Sequence, residues 1–175
     1  MSLPDITPGS NRVSNDFTKL LEAMATAFGS SDFMSANKIK VMHEQSKDFY
    51  NVLKQLLEGN LGIIVVTRIG QGRKPSQAAR LYELDLQVRV TENVMFNQSA
   101  SGTGVPALTV IQAALNFFDG WQPVTLSPPI KAGALFASPD NAFHEDTPDR
   151  LRVAGSVTWV ANFKCPSICL QDIGS

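Results

Sequence analysis

The stretch from Leu81 to Pro123 constrains the fold of this chain more than any other. Tyr82, Leu84, Leu86, Val88 and Val90 alternate with Leu81, Glu83, Asp85, Gln87, Arg89 and Thr91, the period of two that marks a strand with one face in a core and the other toward water or a partner. The loop Gln98–Gly104 follows, and Val105 to Phe118 then reads as an amphipathic helix. Pro106 suits its first turn, Leu108, Ile111, Leu115 and Phe118 form its apolar ridge, and Ala107, Ala113 and Ala114 allow close approach to a sheet. Asp119 and Gly120 stop the helix, and Trp121 just beyond is placed to fold back over its last turn. A strand with one apolar face needs a cover, and this helix supplies it.

The rest of the chain is read around that unit. Residues 1–13 hold Pro4, Pro8 and Gly9 with no apolar period, an irregular arm. Phe17, Leu20, Leu21, Met24 and Phe28 fall on one helical stripe, with Ser14 or Asn15 as its cap. Ile39, Val41 and Met42 suggest a short strand or a turn. Phe49, Val52, Leu53, Leu56 and Leu57 form a second helix, closed by Gly59-Asn60. Leu61 to Ile69 is a β-branched run suited to a buried strand, and Gly70 to Gln77 is a polar connection that would join it to the next strand as an antiparallel hairpin. Residues 123–147 read as a Pro-rich loop with one short strand at Ala134–Phe136. Leu151 to Phe163 reads as a second long strand with Gly155 as a bulge. The expected fold is α+β: an antiparallel sheet of about four strands, a helix packed on one face and two additional N-terminal helices. Residues 1–13 are an arm, 14–163 one domain and 164–175 a loose tail.

A length of 175 residues with 43% hydrophobic and 18% charged content suits one globular core. A net charge of −1 supplies no general field for holding phosphates, which argues against nucleic-acid binding as the main task. No apolar run is long enough to span a bilayer, and the N-terminus lacks the basic and apolar regions of a signal peptide.

Chemistry-bearing residues are sparse. Cys165 and Cys169 offer half a metal site at most, with His43 and His144 both remote; two reduced thiols and a local disulfide are the other readings. The loop Ser99–Gly104 before a helix invites anion binding through free amides, yet it lacks the Lys of the nucleotide loop and the spacing of the dinucleotide loop. The alternative reading of Gly102 and Gly104 is structural, permitting a tight reversal. His144, Glu145 and Asp146 are the one local set that resembles metal ligands, with a solvated acidic loop as the plainer reading. Arg68, Arg73, Lys74 and Arg80 place positive charge on the Gly70–Gln77 connection and its flanks, for an acidic partner, a DNA-carrying pore, or solvent. No nucleophile, base and orienting group share a recognisable spacing, so neither an enzyme nor a cofactor is expected.

The order of elements carries a resemblance. A buried strand, a polar loop, an alternating strand ending Val90-Thr-Glu-Asn-Val94, a Gly-Thr-Gly turn, an Ala/Leu helix and Asp119-Gly-Trp-Gln-Pro123 resemble the tail-terminator and tail-completion proteins of long-tailed bacteriophages, over roughly residues 46–163. The resemblance implies a virion protein of the tail or neck, assembled in the host cytoplasm. It would form a ring, usually six-fold, that caps the tail tube and meets the head-proximal connector or adaptor proteins, with no membrane partner. It further implies Arg73, Lys74 and Arg80, with Arg68, as candidates for the tube contact or for a lumen through which DNA passes without sequence recognition. The two N-terminal helices exceed the family's minimal pattern.

Overall fold

The computed structural model describes residues 16–74, 81–123 and 131–169. The irregular arm, Arg80 and the end of the tail lie outside these residues. In chain order the elements are α1 (Asp16–Gly29), α2 (Asp32–Asn37), β1 (Lys40–His43), α3 (Phe49–Leu57), β2 (Ile63–Arg73), β3 (Leu81–Asn93), α4 (Val94–Asn97), α5 (Ala107–Phe118), β4 (Lys131–Ala132), β5 (Phe136–Ala137), β6 (Phe143–Glu145), α6 (Asp149–Val153) and β7 (Ser156–Cys169). The fold is α+β around one sheet.

Three long strands form the sheet's centre. β2 pairs antiparallel with β3, and β3 antiparallel with β7. β4, β5 and β6 each add a short antiparallel segment along the outer edge of β7. β1 departs from the antiparallel expectation and runs parallel to β2, Lys40 opposite Ile64 through His43 opposite Thr67. Parallel neighbours need a crossover, and α3, lying between β1 and β2 in the chain, provides it. The ambiguous segment 30–45 therefore holds both a short helix and an edge strand. Ser31 caps the helix, its hydroxyl accepting from the Met34 amide at 3.4 Å.

Alternation along the strands divides the sheet into two unlike faces. Ile63, Val65, Leu84, Leu86, Val88, Val90, Ala161 and Phe163 point to one side, where α1 and α5 cover them through Leu20, Leu21, Met24, Phe28, Val110, Ile111 and Phe118. Ile64 and Val66 point to the other, where α3 covers them through Val52 and Leu56. The two N-terminal helices of the sequence reading thus end up on opposite faces. Thr67 fastens α1 to the sheet, its buried hydroxyl donating to the Leu21 carbonyl at 2.9 Å.

The phase of α5 differs from expectation. Ala107, Val110, Ile111, Ala114 and Phe118 are buried, while Leu108 faces outward. Helix and sheet pack through the small residues, which turns the larger leucine away. Three boundaries also move. β2 continues through Gly70–Arg73 because β3 continues to pair with it across an irregularity between Ile69 and Gln71. Leu151 and Val153 belong to α6, behind Pro148 at its N-cap, so the strand begins only at Ser156. The tail is ordered as strand up to Cys169, because Tyr82 and Leu81 remain available as partners for Ile168 and Cys169.

Phe118 is the junction of this packing. It is fully buried, and its ring centroid lies 5.3 Å from Phe28, 4.9 Å from Phe117, 5.4 Å from Trp121 and 5.5 Å from Phe163. Trp121 does lie across the end of α5, and Gly120 and Trp121 exchange backbone hydrogen bonds of 2.8 Å with Leu135, drawing residues 133–137 onto the helix end. Phe118→Ala should cost about 3–5 kcal/mol of stability in urea unfolding. Tyr50→Ala, at a ring that is 79% exposed, should stay within about 0.5 kcal/mol.

Candidate functional site

The loop before α5 is held by one buried carboxyl group. Glu92 is 5% exposed, and its Oε2 accepts from the Ala107 amide at 2.8 Å. Its Oε1 accepts from Asn97 Nδ2 at 2.8 Å and from Gln98 Nε2 at 3.1 Å. Asn97 then organises the turn: its Oδ1 accepts from the Thr103 hydroxyl at 2.7 Å and the Thr103 amide at 3.3 Å, and its carbonyl accepts from the Gly104 amide at 2.9 Å. The amides of Thr103, Gly104, Val105 and Ala107 are thereby engaged within the chain. The loop amides that an anion would need are already met by Asn97 and Thr103, and the positive helix end by the Glu92 carboxyl group.

Gly102 is required here by space and Gly104 by conformation. A Cβ at Gly102 would lie 2.2 Å from the Asn97 carbonyl oxygen and 2.4 Å from that of Phe96, whereas Gly104 has open space but a φ of 69°. Gly102→Ala should therefore cost about 3 kcal/mol or more through backbone displacement, and Gly104→Ala only about 1–2 kcal/mol for its left-handed conformation. Glu92→Ala, which leaves the Ala107 amide and one of the two bonds of the Asn97 side-chain amide unsatisfied, should cost about 3 kcal/mol. Urea midpoints of the three variants check this order.

The acidic trio does not converge. His144 Nδ1 is 3.1 Å from Asn162 Nδ2 and 3.3 Å from Asn141 Nδ2. Glu145 pairs with Arg152 at 3.0 Å and accepts from the Thr147 hydroxyl at 2.8 Å, while Asp146 pairs with Arg89 at 2.8 Å. Successive side chains of a strand point to opposite faces, which turns Glu145 away from its neighbours, and His144 and Asp146 are drawn to different partners, Asn162 and Arg89. Among the described residues no three His, Cys, Asp or Glu side chains are grouped to hold a metal ion. Cys165 is buried, with its thiol 3.9 Å from the Gly133 carbonyl; the side chain of Cys169 lies outside the described set.

The basic residues are spread along the hairpin. Arg73 pairs with Glu83 across the β2–β3 ladder at 2.9 Å, both partners largely exposed, and Lys74 is exposed at the end of the described hairpin. Arg68 lies farther down the same face, 3.5 Å from Glu44 Oε2. That contact is an ion pair without hydrogen-bond geometry, and Arg68 Nε is shielded from solvent with no hydrogen-bond partner. No family model matches this chain. No curated protein matches it either.

Arg68 opens onto a groove of about 530 Å³ on the α3 face of the sheet. Phe49, Tyr50 and Leu53 of α3 form one wall, and Pro148, Arg150 and Leu151 of α6 the other. Arg89 and the Thr91 and Thr158 hydroxyls, 2.9 Å apart, lie on its floor. Sequence reasoning did not single out Arg89, Arg150 or Tyr50. The signal was the water-facing half of the β3 alternation, which carries Arg89 and Thr91; the α6 wall had no signal, because its residues read as strand. A smaller hollow of about 280 Å³ farther along the same face is lined by Gln71, Gln87, Asn162 and the Asp85–Lys164 pair, whose atoms meet at 2.7 Å.

Proposed function

We propose that this protein is a structural subunit of a ring that completes the tail tube of a long-tailed phage and joins it to the head-proximal connector. The reading rests on the resemblance in element order over residues 46–163, and one structural observation carries it further. β1 pairs with β2 only from Ile64 to Thr67, whereas β2 continues to Arg73. Among the described residues, the outer edge of β2 from Arg68 to Arg73 therefore faces no strand. An open edge on a projecting hairpin is a ready surface for a neighbouring chain.

The opposite end of the sheet offers a different surface. The Val94 amide donates to the Gly155 carbonyl at 3.2 Å, and Asn93 Nδ2 donates to the Leu56 carbonyl at 3.1 Å. These bonds bring α4, the end of α6 and the end of α3 to one end of the molecule, where Met95 is 84% exposed and Val153 90%. A polar, charged edge at one end and exposed apolar side chains at the other form two unlike surfaces, which head-to-tail closure into a ring requires. Arg73 and Lys74 then belong to the hairpin as candidates for the tube or lumen contact.

Native mass spectrometry and negative-stain imaging of the protein, alone and with purified tail tubes, test the proposal. Closed rings are expected. A chain that stays monomeric under both conditions overturns the reading. Met95→Glu and Val153→Glu should weaken assembly by about tenfold each with urea midpoints unchanged, since neither side chain is packed in the monomer.

A further inference from the structure

The groove between α3 and α6 has the chemistry of a peptide seat, and its occupant is written in the same chain. We propose that the groove receives the chain's own N-terminal segment, with the Asp5 carboxylate against Arg68 and Arg150 and with Leu3 and Ile6 on the apolar wall. This inference is independent of ring formation.

Charge is the first argument. Arg68, Arg89 and Arg150 line the groove against one lining carboxylate, Glu44. Arg89 is neutralised by Asp146 at 2.8 Å. Arg68 is held only loosely, at 3.5 Å from Glu44, with its Nε unbonded. Arg150 is exposed and takes part in no ion pair among the described residues. Two guanidinium groups lining one groove with an apolar wall favour a carboxylate flanked by apolar side chains. Leu3-Pro4-Asp5-Ile6 has that pattern.

Position is the second. The chain enters α1 at Asp16, and the Thr18 hydroxyl in its first turn donates to Gln45 Oε1 at 2.6 Å. Gln45 adjoins Glu44, which forms the rim of the groove. The described chain thus begins at the β1 edge of the sheet, on the face opposite the groove, and fifteen residues reach up to about 50 Å when extended, enough to pass round that edge and across the groove. Tethering raises the local concentration of the segment to the millimolar range, which favours the chain's own copy over a neighbour's. Pro4 and Pro8 restrict φ and lower the entropy lost on docking.

Hydrogen–deuterium exchange on the full chain and on a variant lacking residues 1–13, both at concentrations where the protein is monomeric, tests the assignment. Peptides covering 49–53 and 148–152 should exchange several-fold more slowly in the full chain. A synthetic peptide of residues 1–13 should bind the truncated protein, and Asp5→Lys in that peptide should weaken binding at least tenfold. Arg150→Glu, at an exposed position, should restore binding of the Asp5→Lys peptide while losing the native one. Identical exchange in the two proteins overturns the proposal, as does peptide binding that ignores both charge changes. Protection that appears only as concentration rises would assign the groove to a second copy's segment and overturn it equally.

Discussion

A single buried carboxyl group joins the two halves of the main core. Glu92 sits at the end of β3, opposite Ile63 of β2, yet it bonds to the first amide of α5 and to two side-chain amides from α4 and the turn after it. Removing such a group from water costs several kcal/mol unless hydrogen bonds replace hydration. Here three donors do so, and a helix N-terminus adds its partial positive charge. α5 has no capping side chain of its own, since Pro106 occupies that position. The strand therefore caps the helix that covers it.

The asymmetry of the sheet follows from which residues each helix has to cover. α1 and α5 meet a continuous apolar surface on one face, and the aromatic cluster around Phe118 closes it. On the other face α3 covers only Ile64, Val66 and Met42. Beyond them the strands carry Arg68, Gln87, Arg89, Asn162 and Lys164, which no apolar helix face could bury without stranding charges. The ladder is left open, with salt bridges across it such as Lys164 to Asp85, and the groove lies where α3 ends its cover and α6 rises opposite.

Much of this was legible residue by residue. The β3 alternation, the stripe Phe17 to Phe28 and the α3 face apart from the exposed Leu57 entered the cores their periods indicated, because period decides which side chains share a face. Gly102 was legible as a position needing a tight reversal; that it abuts the Asn97 and Phe96 carbonyls was not. The misreadings share a cause. Leu151 and Val153 alternate as a strand would, but Pro148 starts a helical turn there, and a five-residue helix is too short to show its own period. Gly70 to Arg73 looks like a loop in composition, yet a partner strand draws it into the ladder.

The sequence by itself determined the fold class, the apolar faces of the long elements and the stopping point of α5 at Asp119-Gly120, since these depend on local periods and on backbone preferences of single residues. Tertiary structure alone decided the rest. It set β1 parallel to β2, spent the first amide of α5 on Glu92, separated His144, Glu145 and Asp146 among different partners, and brought Arg68, Arg89 and Arg150 to one groove from three separate elements. Each of these rests on contacts between residues far apart in the chain, and a local pattern holds no record of which distant group will meet it.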